Sequence, residues 1–514
     1  MDYPDPDVIN VNGTFYMIST TMHYMPGAEI LVSYDLLHWE HLSYVFDTLD
    51  GTPAQRLEDG EYIYGKGMWA ASIRYHEGMF YVVFVCNDTH KTYLYRSGDP
   101  CGEWKKSTIE GFYHDASLLF DEGRAYIVYG NRNIYLTELN KELTGPEEGG
   151  LHRLIVSDEG NPSLGYEGSH IYRIFGRYYL FLIHSKRDRW RRVEACFSSD
   201  SLLGEFTGGD VFDDDLGFRN SGIAQGGIVE GPEGVWNAVM FRDNGAVGRL
   251  PVVVGVRWEK DEKGNPVPVF GKDGKADISP ELSSYCPDYE YMPLSGNDDF
   301  RYDPETEFSR DKKGHGTFGF KSFWQFNHEP DMSLVGTDAE NGKLLIKTDR
   351  TAENIFHVRN ILTQRMSFPS CSAEVTVDGS MLGDGDHAGL AAFQGDYLTV
   401  GICRKEGKLY AEYSAFTNDT GDVWKLGEGP ASKKELIPIS GDTLRVRITA
   451  DFGTDLGKDS AFCEIYENGA FRRFGEEQEL RFRLDHFTGC RFGLFVMSEE
   501  RAGGTGCFSD FVKV

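Results

Sequence analysis

The sequence predicts an all-β protein with more than one domain, and three observations carry this prediction. Short runs rich in β-branched and aromatic residues, such as FYVVFVC, alternate with turns of Gly, Asn and Asp along the chain. No long amphipathic pattern with a helical period interrupts these runs. The length of 514 residues exceeds what a single hydrophobic core usually organises. We therefore expect two, or at most three, all-β domains in succession.

A repeated pattern organises the first half of the chain. A turn glycine followed by an aromatic-rich strand occurs five times, and a tryptophan- or phenylalanine-containing outer strand such as DLLHWEHL follows in the same order. Repeats of this size, each with about four short strands, are typical of β-propeller blades. Residues 1–300 are therefore predicted to form a five-bladed β-propeller, with a sandwich of similar hairpins as the less favoured alternative. The repeat glycines are Gly13, Gly78, Gly123, Gly176 and Gly234.

The second half of the chain shows a different pattern. Residues 301–316 are polar and weakly periodic, which is typical of a linker. Beyond them apolar residues alternate with arginines, as in TLRVRIT (443–449), so that each strand has one dry face. Residues 317–514 are therefore predicted to form a β-sandwich.

Composition excludes several classes of partner. Lys and Arg number 52 against 81 Asp and Glu, a net charge of −29 that disfavours nucleic acid and anionic membranes. The nine cysteines are scattered and form no CxxC pair, which favours reduced thiols over a zinc site or a disulfide framework. The N-terminus has no signal-peptide pattern, so we expect a cytoplasmic protein if Met1 is the native start. Oligomeric state is left open, with a homo-oligomer among the options.

Four polar residues occupy equivalent positions in the repeat. Asp5, Asp115, Glu167 and Gln225 each lie eight or nine residues before a repeat glycine, where the innermost strand of a blade should begin. Asp5 is also flanked by two prolines, which hold its backbone stiff. Because inner strands surround the channel of a propeller, we expect these side chains to meet at one mouth of it.

Three carboxylates around a narrow axis favour a catalytic role. Like charges at close range raise one another's pKa, so a purely structural site would not gather them. Glycoside hydrolysis needs one protonated and one ionised carboxyl on either side of a sugar. Any one of these acids taken alone would be read as an ordinary residue at a strand end. Their shared register favours a glycosidase.

Five motifs in order resemble glycoside hydrolase family 43. They are YPDPDV, MWAASIRYHEGMFY, HDASLLFDEGRAYIVYG, YEGSHIYRIFGRYYLF and IAQGGIVEGPEGVW. The resemblance is closest to the β-xylosidase/α-L-arabinofuranosidase branch with a C-terminal β-sandwich, and it extends to the closing FSDFVKV. It implies a five-bladed propeller and hydrolysis by single displacement with inversion.

The resemblance also implies three catalytic roles. Asp5, the aspartate between the prolines, would be the general base. Glu167, in E-G-x-H, would be the general acid. Asp115, in H-D-A-S-L, would orient the acid and modulate its pKa. These roles agree with the chemistry, since the base must be ionised and the acid protonated before reaction.

Substrate-binding residues carry over with structural alternatives beside them. Arg249 would contact sugar hydroxyls or be a surface turn arginine, and Trp69 would stack on the sugar or pack between blades. His170 would line the pocket or simply pack. Gln225 replaces a histidine that many relatives place near the axis, which puts any central ion in doubt.

The predicted pocket rim bears on the sugar. In the segment TMHYMPG, Tyr24 and its neighbour Met22 replace larger aromatic side chains of xylosidase-like relatives. We therefore predict an inverting exo-acting hydrolase that releases α-L-arabinofuranose from arabinoxylan-derived oligosaccharides. A β-D-xylosidase or a bifunctional enzyme is the first alternative, and a non-catalytic carbohydrate-binding propeller the second.

No cofactor or metal is predicted to be required. The fragment GDGDH (383–387) resembles part of a calcium loop, but it lacks the remaining ligands. A structural calcium ion is therefore not supported, and a turn of the sandwich is the favoured interpretation.

Overall fold

The computed structural model describes residues 1–277, 280, 282–302, 318–453 and 458–514. Within them the protein is almost entirely β, which confirms the predicted fold class. The helical segments in this part of the chain are 3₁₀ turns of three residues each, at Pro232–Gly234, Gly245–Val247, Met332–Leu334 and Ile355–His357. No helix in the described ranges has the length and hydropathy to cross a membrane.

The first domain consists of five antiparallel sheets of four strands each, which we number as blades 1–5 in chain order. Blade 1 comprises Asp7–Val11, Thr14–Ser19, Gly27–Ser33 and Glu40–Phe46. Blade 2 comprises Met68–His76, Met79–Cys86, Lys91–Ser97 and Lys105–Ile109, and blade 3 comprises Ser117–Asp121, Arg124–Asn131, Asn133–Leu139 and His152–Ser157. Blade 4 comprises Glu167–Ile174, Arg177–Ser185, Arg192–Ser199 and Thr207–Phe212, and blade 5 comprises Ile223–Glu230, Trp236–Asp243, Arg249–Lys260 and Pro266–Phe270.

The repeat glycines lie in the turns that join the first two strands of each blade. In blade 1, Asn12 and Gly13 both have positive φ, at 52° and 84°. Two central residues with positive φ match the right-handed twist of the flanking strands, and glycine adopts this conformation without a steric cost. This turn chemistry explains why the glycine marks every repeat.

The ring of blades closes by packing. Each blade is formed from consecutive strands, so no strand is shared between blade 5 and blade 1 in the described residues. Instead the inner strands of these two blades are neighbours, and Val8 and Phe15 form one apolar cluster with Val229 and Val239. These side chains are almost fully buried, and their burial is the main attraction that holds the ring shut.

The second domain is a sandwich of two large sheets. The first contains, in order, Tyr24–Met25, Gln325–Asn327, Leu362–Arg365, Arg491–Ser498, Asp386–Phe393, Tyr397–Lys405, Lys408–Phe416 and Lys433–Pro438. The second contains Val335–Asp338, Lys343–Lys347, Thr505–Lys513, Ser370–Asp378, Thr443–Asp451, Ser460–Glu467 and Ala470–Arg473, with Gln478–Glu479 paired beside it.

The two domains share a sheet. The short strand Tyr24–Met25, which belongs to the propeller by sequence, pairs with Gln325–Asn327 of the sandwich. The predicted linker 301–316 lies outside the described residues apart from 301 and 302, so its boundaries stay predictions. The shared sheet fixes one side of the sandwich against the end of the propeller where the predicted acids lie.

Candidate active site

A left-handed residue recurs where the inner strands begin. Asp5, Asp115, Gly168 and Gln225 have φ of 51°, 48°, 65° and 56°. In blades 1 and 3 this residue precedes the inner strand, and in blades 4 and 5 it lies within an irregularity of the strand pairing. Such bends re-aim neighbouring side chains and are common beside active sites. The left-handed residues therefore follow the register seen in the sequence, except that in blade 4 the bend falls at Gly168, one residue after Glu167.

Asp5 is held by two donors in a buried position. Its side chain accepts hydrogen bonds from the Thr20 hydroxyl at 2.7 Å and from Arg249 Nη1 at 2.8 Å. Only 6% of Asp5 is exposed. A cation and a hydroxyl at hydrogen-bond distance stabilise the ionised carboxylate. The side chain of Asp5 is thus held in place by a hydroxyl and a buried arginine.

Arg249 is buried against the predicted base. It is 2% exposed, so it is not a surface turn arginine. Besides its bond to Asp5, it donates from Nη2 to the backbone oxygen of Phe487 at 3.0 Å, and its guanidinium carbon lies 4.5 Å from the centroid of that ring. Arg249 therefore links the predicted base to a loop of the sandwich.

Glu167 and Asp115 flank a histidine. Glu167 Oε2 accepts a hydrogen bond from Asn131 Nδ2 at 2.5 Å, and Asp115 Oδ2 accepts one from the backbone nitrogen of Gly168 at 3.2 Å. His114 Nε2 lies 3.5 Å from Glu167 Oε2 and 3.6 Å from Asp115 Oδ1. One imidazole thus bridges the two carboxyl groups.

Burial and charge tune the protonation of this cluster. Burial raises the pKa of Asp115 to about 7, against the opposing charge of His114 and with a contribution from Glu167 and Asp5. Burial lowers the pKa of His114, but the carboxylates of Asp115 and Glu167 outweigh it and raise this pKa to about 9. At neutral pH we therefore expect an imidazolium at His114 beside an Asp115 carboxyl group that loses its proton only close to neutrality.

Aromatic residues from both domains form a wall beside the cluster. The Trp69 ring lies 6.0 Å from that of His114 and 5.3 Å from that of Phe487. Trp424, also of the sandwich and 54% exposed, lies 5.8 Å from Phe487. These aromatic rings offer the flat apolar surface on which a sugar face can stack.

Three predicted binding residues are buried. His170 contacts the backbone oxygen of Gly168 at 3.0 Å through Nδ1 and is 6% exposed. Gln225 is 4% exposed, and its backbone nitrogen donates to Glu194 at 2.8 Å. Tyr24 is fully buried, with the guanidinium carbon of Arg491 3.5 Å from its ring centroid. A direct role in substrate binding stays a prediction for each of them.

The sequence analysis missed His114, Asn131 and Phe487. His114 stands directly before Asp115 in the motif HDASL, so the motif itself contained the signal. Asn131 and Phe487 reach the site from a later turn and from another domain. No spacing along the chain indicates either of them.

In the described part of the chain, two groups of side chains have metal-ligating chemistry. The donor atoms of His114, Asp115 and Glu167 lie within 4.8 Å of one another, as do those of His387, Cys403 and Glu412 in the sandwich. In the second group Glu412 is bound to His387 at 2.5 Å and to Lys434 at 3.0 Å, which supplies positive charge without an ion.

The predicted calcium-loop fragment is part of a turn. Asp386 is fully buried, and its carboxylate accepts a hydrogen bond from the backbone nitrogen of Gly383 at 2.6 Å. The prediction that no cofactor is required stays a prediction.

Comparison with known proteins places the chain in a family. Residues 1–263 match the model "Glycosyl hydrolases family 43", and residues 319–512 match "Beta xylosidase C-terminal Concanavalin A-like domain". A β-xylosidase of Formosa agariphila is 25% identical over 98% of this chain and 87% of its own. A non-reducing end α-L-arabinofuranosidase of Bacteroides ovatus is 27% identical over 65% of this chain and 63% of its own.

A solved structure extends the similarity to the whole chain. The structure described as a bifunctional GH43-CE protein of Bacteroides eggerthii is 33% identical and superposes with a TM-score of 0.87 over 100% of this chain. This chain spans 62% of that longer protein. With both domains matched and the acids gathered at one channel mouth, this chain belongs to glycoside hydrolase family 43.

Proposed function

We propose that this enzyme is an exo-acting hydrolase that releases α-L-arabinofuranose from arabinoxylan-derived oligosaccharides. Asp5 is the general base, Glu167 the general acid, and Asp115 orients the acid and modulates its pKa. The contacts of each residue support its role. Asp5 has a cation and a hydroxyl to stabilise its charge, and Asp115 accepts a hydrogen bond from the backbone nitrogen of Gly168, the residue that follows Glu167.

The reaction follows from these positions. A water molecule on the Asp5 side loses a proton to Asp5 as its oxygen attacks the anomeric carbon. Glu167 gives its proton to the glycosidic oxygen as the bond to the leaving group breaks. Arg249 then holds Asp5 in place, and Asn131 holds Glu167. Acid–base assistance of this kind is worth about 10²–10⁴ in rate.

The open side of the pocket beside the acid supports the choice of sugar. The leaving group must lie on this side, because Glu167 protonates the glycosidic oxygen. Asn131 is exposed there, and Trp190 on the same end of blade 4 is 55% exposed. An arabinofuranosyl unit is a side branch of a xylan chain, so the leaving group is the xylan chain that carried it. An open surface accommodates such an extended leaving group.

A β-D-xylosidase is the second candidate. The relative that matches 98% of this chain is named a β-xylosidase, and Trp69 and Phe487 provide stacking surface for a pyranose as well as a furanose. An enzyme that accepts both sugars is consistent with the same wall.

The catalytic assignment is tested with Asp5→Asn and Glu167→Gln. We expect each variant to retain its fold and to lose about 10²–10⁴ in kcat on arabinoxylan-derived oligosaccharides, whose sugar leaving group needs a proton from the acid. Thermal unfolding measured alongside separates lost chemistry from lost structure. Full activity in both variants would contradict the assignment, and binding without hydrolysis by the wild type would support a non-catalytic sugar-binding propeller instead.

The choice of sugar is tested by a parallel assay of the wild type. We expect a higher kcat/KM on nitrophenyl α-L-arabinofuranoside than on nitrophenyl β-D-xylopyranoside, and release of arabinose from arabinoxylan oligosaccharides. A reversed preference on both kinds of substrate would favour the xylosidase.

A further inference from the structure

The propeller has a cavity at one mouth of its channel, and the acids lie at the other mouth. It has a volume of about 700 Å³, within the usual range for small-ligand pockets. The acids lie where the inner strands begin, whereas this cavity lies where all five inner strands end, next to the turns that contain the repeat glycines. We call it the far mouth. Its lining includes Asn10, His76, Phe120, Glu230, Trp236 and Tyr285.

A buried polar cluster separates the far mouth from the catalytic acids. Asp7 is fully buried, and its Oδ2 accepts a hydrogen bond from Arg74 Nη1 at 2.7 Å. Its other carboxylate oxygen lies 3.6 Å from His170 Nε2. Because these side chains fill the channel, a ligand at the far mouth would not touch Asp5 or Glu167.

Aromatic side chains surround the far mouth. Trp236 packs edge-on against Trp258 with ring centroids 5.7 Å apart, and Phe175 lies 6.4 Å from Trp236 and is 61% exposed. On the side of blade 1, Tyr285 is 43% exposed. A soluble surface rarely gathers exposed aromatic rings around a cavity without a ligand or partner to cover them.

The polar groups of the far mouth favour a neutral ligand. Arg173 is bonded to Asp121 and Glu122, and Arg74 to Asp7, so both positive charges are compensated. Glu230 and Glu233 add negative charge at the rim, which disfavours an anion, as does the net charge of −29.

The polar groups are also poorly matched to a wholly apolar ligand. The carboxylate of Glu230 is exposed and can accept hydrogen bonds from two hydroxyls, and the Asn10 side chain donates to the Tyr285 hydroxyl at 3.0 Å beside it. Rings that stack on C–H faces, together with acceptors for hydroxyl groups, match a neutral carbohydrate.

We propose that the far mouth is a second carbohydrate-binding site, which takes a neutral oligosaccharide and is separate from the catalytic pocket. The site is expected to bind without hydrolysis, because the two carboxylates of its lining, Glu230 and Glu233, both come from one end of blade 5, whereas Asp5 and Glu167 come from different blades. It would hold the enzyme on a polysaccharide while the opposite face processes chain ends or branches. This inference does not depend on which sugar the catalytic pocket cleaves.

The test measures binding to soluble arabinoxylan by affinity gel electrophoresis and to xylohexaose by calorimetry. The full chain with Asp5→Asn is used so that the ligand is not consumed. We expect Trp236→Ala and Tyr285→Ala each to weaken binding about two- to twelvefold, which corresponds to the loss of an aromatic contact of about 0.5–1.5 kcal/mol. Tyr466→Ala, which removes a ring of the sandwich that is 40% exposed, is the matched control and should bind as before.

Each outcome is decisive. In the otherwise wild-type enzyme, Trp236→Ala and Tyr285→Ala should leave hydrolysis of nitrophenyl glycosides unchanged, which distinguishes loss of this site from failure of the catalytic assignment. Unchanged retardation and unchanged xylohexaose affinity in both variants would overturn the proposal, as would absence of binding by the Asp5→Asn chain. If Trp236→Ala does not fold, Tyr285→Ala and Glu230→Gln decide the question, because both side chains are exposed.

Discussion

The charged side chain of His114 lies beside both carboxyl groups of the acid cluster. It lies 3.5 Å from Glu167 and 3.6 Å from Asp115, and it is mostly buried. Burial raises the pKa of Asp115 to about 7, even though the positive charge of His114 lowers it. The pH at which the cluster loses its proton therefore depends on this imidazole.

Replacing His114 should shift the pH profile. In His114→Gln the cation is lost, so the pKa of Asp115 rises further and the cluster keeps its proton to higher pH. We expect the alkaline limb of kcat/KM to move to higher pH, measured on a nitrophenyl glycoside. His38→Gln, whose side chain is 69% exposed and far from the cluster in blade 1, should leave the profile unchanged. An alkaline limb that stays in place or moves to lower pH would contradict this role.

At the residue scale, the sequence predicted where the acids lie in the repeat better than it predicted which side chains contact them. Asp5, Asp115 and Glu167 share a slot in the repeat, and that slot is enough to bring them to one mouth. The contact between Arg249 and Asp5 could not be predicted in this way, because Arg249 comes from blade 5 and is itself held by Phe487 of the sandwich. Such contacts depend on how distant segments pack, and no local pattern encodes them.

At the scale of the strand, the bend at the start of each inner strand positions the acids. Gly168 follows Glu167, has φ of 65°, and donates its backbone nitrogen to Asp115. A β-carbon at this residue would lie 2.7 Å from Gln225 Cγ. The turn glycines were predictable from the repeat, but this bend was not, because a one-residue irregularity leaves the alternation of the strand almost unchanged.

Substitutions of two glycines in blade 4 distinguish the cost of backbone strain from an effect on catalysis. Gly168→Ala and Gly176→Ala both place alanine in a left-handed conformation, which costs about 1–2 kcal/mol of stability. Open space surrounds Gly176, whereas at Gly168 the new methyl group would push against Gln225 and displace Glu167. We expect both variants to unfold at lower denaturant, but only Gly168→Ala to lose about 10²-fold in kcat. Equal activity of the two variants would show that the bend does not position the acid.

At the scale of the whole molecule, the propeller and the sandwich are joined by a buried ion pair. Glu29 of blade 1 is fully buried and lies 2.6 Å from Arg365 of the sandwich and 2.7 Å from His41. The sequence predicted both domains, since each has its own repeat or alternation. It did not predict how they dock, because Glu29 and Arg365 look like ordinary strand residues until the chain is folded.

This ion pair should make the stability of the whole protein depend on pH. Burial tends to raise the pKa of Glu29, but Arg365 and His41 outweigh it and lower this pKa from 4.5 to about 2. Because the folded pKa lies below the unfolded one, the stabilisation is complete above pH 4.5 and is lost as the pH falls towards 2. Glu29→Gln leaves Arg365 buried without its partner, which costs about 3–5 kcal/mol at neutral pH.

Thermal unfolding of the wild type and Glu29→Gln at pH 7 and pH 3 tests this coupling. We expect a large difference in melting temperature at pH 7 that shrinks at pH 3, because below pH 4.5 Glu29 of the unfolded wild type takes up a proton that the folded protein still excludes. Glu259→Gln breaks an exposed pair with Arg257 and should change stability by less than about 1 kcal/mol at either pH.

Since Glu29 and Arg365 stand on different domains, we also expect the domains of the wild type to melt in one transition. Two separate transitions at pH 7 would show that the pair does not couple them.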